Sequence, residues 1–157
     1  MTDFSALYQK YAPEVFRFAL YLSGDKSEAE DITSETFVRV WASSVPIEMA
    51  TVKGYLFTIA RNLFLQGLRK KSKHVALPLE LSDSRPSPHM QTEQKAELRA
   101  VLARLQKLPE IDRAALLLRT LDEMPYEEIA KTLGISLSSA KVKVHRARLA
   151  LDGVRDG

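Results

Sequence analysis

The stretch that most constrains this chain runs from Pro125 to Ser136, Pro-Tyr-Glu-Glu-Ile-Ala-Lys-Thr-Leu-Gly-Ile-Ser, with a basic run behind it to Arg148. Pro125 suits the first turn of a helix, where its missing N–H would have had no partner. Gly134 suits the left-handed position that ends this helix, where a Cβ would be strained. Ser136 can then cap a second helix by accepting from an orphan N–H. Small Ala130 lets two crossing helices come close, with Ile129, Leu133 and Ile135 as the seam. A helix, a tight turn and a longer basic helix in this order predict a helix-turn-helix, whose second helix commonly lies in a DNA major groove.

On that second helix Ala140, Val144, Ala147 and Leu151 recur at spacings of four, three and four, a narrow stripe that packs on the domain. Ser138, Val142 and His145 point the other way, and Lys141, Lys143, Arg146 and Arg148 fan out on the flanks. A solvated basic helix has the same pattern; the capping chemistry before it and its scarcity of acids favour DNA. Net charge is only +3, so distribution matters more than sum. Arg61 to Lys73 holds five basic residues and no acid, while Asp25 to Glu35 holds five acids and one lysine. Segregation of this kind predicts two surfaces with different partners.

Several function classes are excluded. No apolar run approaches the ~20 residues of a membrane span, and the first residues lack a signal peptide's pattern. With no cysteine there is neither disulfide nor thiolate chemistry, and three histidines at 74, 89 and 145 do not suggest a zinc site. An apolar share of 45% with 27% charged residues is ordinary for a soluble globular protein, and the cytoplasm is the expected compartment.

Leu7, Tyr11, Val15, Phe18 and Leu22 predict a first amphipathic helix ending at Ser23-Gly24. A second, from about Ser27 to Trp41, buries Ile32, Phe37, Val40 and Trp41. Its outer face shows Asp31, Glu35 and Arg39, readable as surface pairs worth ~0.2–0.5 kcal/mol each or as a docking face for another protein. Ser43 to Pro46 breaks the pattern. A third helix, about Thr51 to Lys71, has core stripes through Val52, Leu56, Ile59, Leu63 and through Phe57, Phe64, Leu68, with Gly67 allowing close approach. Its remaining stripe is Tyr55, Thr58, Asn62, Gln66 and Arg69. An aromatic, amides and cations on one face suit unstacked bases and phosphates, or an ordinary wet surface.

His74 to Gln91 loses the helical period and gains Pro78, Pro86 and Pro88, as a flexible tether does. Leu77, Leu79 and Leu81 within it suit an extended segment. Helical patterning resumes at Glu93. Leu98, Val101, Leu102, Leu105 and Leu108 line one helix, and Leu116, Leu117, Leu118 and Leu121 crowd the next, either as core or in part as a partner patch. The expected fold is therefore all-α: two small helical domains, 1–73 and 93–157, joined by a linker at 74–92.

Three stretches together resemble the sigma-70 family, specifically its extracytoplasmic-function group. Residues 29–41, with Ala-Glu-Asp-Ile and the run from Glu35 to Trp41, are similar to the segment that docks on the beta-prime clamp of RNA polymerase. Residues 54–71 are similar to its minus-10 melting and recognition helix. Residues 105–148, with Leu108-Pro109-Glu110 and His145-Arg146-Ala147-Arg148, are similar to its minus-35 domain. The resemblance implies polymerase docking by Asp31, Glu35, Phe37, Arg39 and Trp41. It implies minus-10 contacts by Lys53, Tyr55, Thr58, Arg61, Asn62, Gln66, Arg69 and Lys70. Minus-35 contacts fall to Ser136, Ser138, Ser139, Lys141, Val142, Lys143, His145, Arg146 and Arg148.

The resemblance also implies partners: core polymerase through its beta-prime clamp and beta flap, promoter DNA duplex at minus-35 and melted at minus-10, and an anti-sigma factor. It implies no cofactor, metal or catalysis of the chain's own, and no membrane contact except through a membrane-bound anti-sigma factor. Two positions depart from the family: Gln66 stands where an Asp is frequent, and Val142 where a small polar residue is common. Val142 cannot hydrogen-bond a base edge, but its methyls can meet a thymine methyl. From the residues alone, a dimeric duplex-binding regulator and an interaction protein built on the acidic N-terminal face stay open.

Overall fold

The computed structural model describes residues 4–43, 52–73 and 92–156, and among them the chain is seven α-helices with no strand. Helix α1 (Phe4–Ser23) buries Leu7, Tyr11, Val15, Phe18 and Leu22 at the expected spacing and ends at Gly24, whose φ of +74° needs a residue without a Cβ. Helix α2 (Lys26–Ala42) is capped by Asp25, which accepts from Glu28 N–H at 2.9 Å, and buries Ile32, Phe37 and Val40. Trp41 departs from its expected burial: it is 70% exposed, its ring edge-on to Phe4 with centroids 4.8 Å apart. The buried arc of α2 centres on Ala29, Thr36 and Val40, and Trp41 falls at its rim, beside exposed Val38.

Helix α3 (Val52–Lys73) is buried through Val52, Leu56, Phe57, Ala60 and Phe64. Ile59 and Leu63 are only partly covered and Leu68 is exposed, so the two expected stripes merge into one. The close approach expected at Gly67 is instead at Gly54, where an added Cβ would stand 3.1 Å from Thr132 Oγ1; at Gly67 the nearest atom would be 3.6 Å away, ordinary contact.

Helix α4 (Glu93–Gln106) starts at Thr92, whose hydroxyl accepts from Lys95 N–H at 3.2 Å. Of its expected line only Leu105 and Leu108, just past its end, are buried, and residues 92–100 are exposed throughout. Helix α5 (Glu110–Thr120) is the hub, packed on α1, α4, α6 and α7. That surround buries Leu116, Leu117 and Leu118 and leaves Leu121 partly covered. Each such buried side chain contributes ~1.5–3 kcal/mol.

Helix α6 (Tyr126–Leu133) begins one residue later than expected: Pro125, with ψ of 149°, is the N-cap rather than part of the first turn, its carbonyl accepting from Ile129 N–H at 3.0 Å. Gly134 takes the left-handed position at φ +69°, and Ile135 N–H reaches back to Ala130 C=O at 3.0 Å. Helix α7 (Leu137–Asp156) follows, Ser136 Oγ accepting from Ser139 N–H at 3.0 Å, with Ala140, Val144 and Ala147 fully buried. Helices α1–α3 and α4–α7 share one continuous buried cluster, joined through α3 on α6, α1 on α5 and α1 on α4. Of the break expected at Ser43 to Pro46, Ser43 is the C-cap of α2; the rest, like the extended segment at Leu77, Leu79 and Leu81, lies outside the described residues.

Candidate nucleic-acid interface

The outward face of α7 is built from its turn. The cap at Ser136 fixes where the helix starts, and the stripe of Ala140, Val144 and Ala147 fixes which side faces away. Ser138, Val142 and His145 are therefore exposed, Val142 to 56%, and Leu149 extends the same face at 58%. Ser136 spends its hydroxyl on the cap and stands 3.4 Å from Ser138 Oγ. Lys141 and Arg148 flank one side; Ser139, Lys143 and Arg146 flank the other, with Ser139 and Lys143 half-buried.

Arg146 is not simply splayed into solvent. Its Nε and Nη2 donate to the two oxygens of Asp112 at 2.8 and 2.9 Å, tying α7 to the start of α5. Asp112 is 1% exposed, whereas the Arg146 side chain is 57% exposed. The bond and charge of Asp112 push the Arg146 pKa up, so the guanidinium stays charged. At the first turn of α6, Tyr126 lies under Arg119 at 4.6 Å and Lys141 at 6.0 Å, gathering two cations beside the turn.

On α3 the expected residues divide between two faces. Asn62, Gln66, Arg69 and Lys70 are exposed. Lys53, Tyr55, Thr58 and Arg61 are partly covered. Thr58 Oγ1 donates to Gly54 C=O at 2.8 Å and lies 3.4 Å from Thr132 C=O on α6. Arg61 is held bidentately by Glu110 of α5, at 2.8 and 2.7 Å, with both side chains under a fifth exposed. Gly54, Thr58 and Arg61, spaced four and three, thus form one stripe facing the C-terminal helices. Asn62, Gln66 and Arg69 form the neighbouring stripe, which faces solvent.

A cluster of charges closes the other side of this junction. Lys53 binds Glu14 at 2.9 Å, and Arg17 donates to Leu121 C=O at 3.1 Å and Asp122 at 3.4 Å. Burial works against charge on Lys53, but the hydrogen bond and charge of Glu14 outweigh it and raise its pKa. Asp122 is pushed up to about 6, chiefly by burial, with Lys53 and Arg17 pulling the other way and Glu14 adding to the rise. Its Oδ2 is buried without a donor. Arg113, buried within α5, caps the end of α4 by donating to Leu105 and Leu108 C=O at 3.3 and 3.1 Å; burial lowers its pKa.

On α2, Asp31, Glu35, Arg39 and Trp41 reach the surface, with Glu35 and Arg39 paired at 3.2 Å. Phe37 lies beneath, its ring against Tyr8 at 4.9 Å, so it can support an interface but not reach far into one. Phe4, Tyr8, Ser34, Phe37, Val38 and Trp41 line a groove of about 310 Å³ beside them. Sequence reasoning named Glu110 only within a motif and missed Asp112 and Asp122, the acids that pair with Arg61, Arg146 and Arg17. No helical period links residues 34 or 49 positions apart, and the one available signal was their place at the ends of α5.

Comparison with known proteins gives this geometry a family. Residues 7–74 match the model for sigma-70 region 2, and residues 98–151 match that for sigma-70 region 4. The chain belongs to the sigma-70 family, whose members are transcription initiation factors. Within it the chain is an extracytoplasmic-function sigma factor: it is 35% identical to SigM of Bacillus subtilis over 92% of this chain and 90% of that protein. Similarity to SigE of Mycolicibacterium smegmatis is 38% over 96% of this chain, which spans 61% of that protein. Among solved structures, the sigma factor RpoE of Bartonella quintana, solved with the anti-sigma factor NepR, matches 99% of this chain and 98% of its own at TM-score 0.79 and 26% identity. CnrH, solved with the cytosolic domain of CnrY, shares the fold at TM-score 0.73 and 20% identity.

Proposed function

We propose that this chain docks on core RNA polymerase and places it at specific promoters, supplying address and strand capture while the polymerase supplies the chemistry. The observation that carries the reading is the pairing of two nucleic-acid faces of different kinds in a member of this family. A capped recognition helix with exposed Ser138, Val142 and His145 suits duplex at minus-35. A stripe of Asn62, Gln66 and Arg69 leading to Lys70 suits unstacked bases and phosphates at minus-10. Asp31, Glu35, Arg39 and Trp41 dock on the beta-prime clamp, and the C-terminal helices meet the beta flap. The working units are 1–73 and 93–157, tethered by 74–92.

In this reading the isolated chain is closed. Thr58 and Arg61 belong to the strand-capturing helix, yet α5 and α6 cover them, so the two units part when polymerase and promoter are engaged. Glu110 holds Arg61 in the geometry that a phosphate would use. A chain that is shut until needed fits control by an anti-sigma factor, of the kind bound by the Bartonella quintana relative. The chain acts in the cytoplasm, reaching the inner membrane only through a membrane-bound anti-sigma factor. Run-off transcription with core polymerase on a promoter selected from a randomised duplex library tests the proposal: full-length transcript appears only when this chain is added. Absence of both transcript and core binding overturns it; tight operator binding by the chain alone favours a duplex-binding regulator.

A further inference from the structure

Asp112 has no place in a list of DNA contacts, because its carboxylate is 1% exposed and lies on α5 rather than on α7. Its surroundings nevertheless connect it to the reading face. An aspartate in the first turn of a helix is favoured by the positive end of the helix dipole, but a buried carboxylate still needs a cation. The cation is Arg146, one turn along the recognition helix from Val142, and the pairing is bidentate. A guanidinium carries five N–H donors in a rigid plane. Two, on the Nε–Nη2 edge, are spent on Asp112, which leaves three on Nη1 and Nη2 of a side chain that is 57% exposed, two of them parallel along the terminal edge. That terminal edge cannot swing freely, because the plane is fixed by the other.

We infer that Arg146 bridges protein and DNA, one edge seated on Asp112 and the other on a single backbone phosphate at the minus-35 edge, with Asp112 as the positioning residue that sets the angle of α7 in the groove. This rests on the reading of α7 as the minus-35 helix. It differs from a row of independent cations: Lys141, Lys143 and Arg148 supply charge, while Arg146 supplies charge at a fixed point and in a fixed plane. A phosphate accepts two parallel N–H bonds from such an edge, and lysine offers only a point charge.

The test is promoter binding by holoenzyme, assembled from core polymerase and the full chain, across a salt series, on a fragment that wild-type holoenzyme has selected from a randomised duplex library. Each phosphate neutralised contributes about 0.9 to the slope of log affinity against log salt. Arg146→Gln is expected to lower that slope by about 0.9. Asp112→Asn is expected to weaken binding about tenfold with the slope unchanged, because the charge remains and only its placement is lost. The double variant D112N/R146Q removes a buried charge and its partner together, so it keeps the fold that R146Q alone strains by leaving Asp112 unpaired. It should reproduce the slope of R146Q with no added loss from D112N. An unchanged slope in the double variant overturns the phosphate contact, and additive losses overturn the positioning role. Failure of wild-type holoenzyme to select any fragment would instead sink the underlying promoter-binding reading.

Discussion

Two arginines on two basic helices show what separates the halves of this molecule. Arg61 on α3 and Arg146 on α7 both make bidentate pairs with a carboxylate of α5, at closely similar distances. Arg146 pairs within its own group of helices, and the pair holds the recognition helix in place while its reading face stays open. Arg61 pairs across the junction, and its pair covers part of the helix meant to capture a strand. One chemistry thus serves assembly in one place and closure in the other. On the proposed function, the duplex-reading head is ready in the isolated chain, whereas the strand-capturing face has to be uncovered.

Removing each arginine breaks the comparison most sharply. Arg146→Ala strands Asp112 as a buried, unpaired carboxylate and should clearly lower stability, read as a lower urea midpoint. Arg61→Ala leaves Glu110, which is 18% exposed in its side chain and can reach water. That variant should lose less stability than Arg146→Ala, because Glu110 rehydrates as the two halves separate more readily, read as increased protease sensitivity at 74–91. Comparable stability losses at the two sites would contradict the distinction.

Gly134 tests the ready half alone. With φ at +69° and nothing within 4 Å of an added Cβ, Gly134→Ala carries a purely conformational cost, about 1–2 kcal/mol. It should weaken promoter binding while leaving attachment to the beta-prime clamp unchanged, as a clamp-binding assay and a promoter-binding assay run together would show.

The junction should also respond to pH. Asp122 faces Arg17 of α1, Lys53 of α3, and Glu14 and Tyr11 behind them. Burial raises its pKa to about 6 from an ordinary 3.8, so the closed arrangement binds a proton that the open one releases. Closure is then favoured below the ordinary value and loses this contribution as pH rises through about 6. The open fraction should increase between pH 5 and pH 7, and Asp122→Asn should flatten that dependence. A wild-type profile that is flat, or that falls, removes Asp122 from the closing mechanism.

The smallest expected effect concerns specificity. If Val142 meets a thymine methyl, replacing that base should cost about 1 kcal/mol, and Val142→Ser should reduce the penalty. Equal tolerance of all four bases by the wild type would rule the contact out.

Much of the local architecture was legible in the residues. Gly134, Ser136 and the spacing of Ala140, Val144 and Ala147 fix the turn and the orientation of α7, because capping and helical period are short-range. The core lines of α1 and most of α3 followed for the same reason. Trp41 did not, since a position at the rim of a buried arc is indistinguishable by period from one inside it. On α4 the expected line runs from exposed Leu98 through half-buried Val101 and Leu102 to buried Leu105, and only the arrangement of its neighbours decides where cover begins. Least legible was the partnership of the basic faces. Thr58 meets Thr132 and Arg61 meets Glu110 through tertiary packing, so sequence patterns mark both residues as outward-facing.

The account turns on that closure. The chain has no cysteine, so Ser27→Cys and Glu127→Cys, both at exposed positions, would carry a donor–acceptor dye pair reporting the separation of the two halves. The prediction is one short separation for the chain alone, a longer one once core polymerase is bound, and a shift toward the longer one in the free chain when Arg61 is replaced by alanine. A separation that stays short in a transcribing holoenzyme would show that α3 captures its strand without parting from α5 and α6, and would contradict the account.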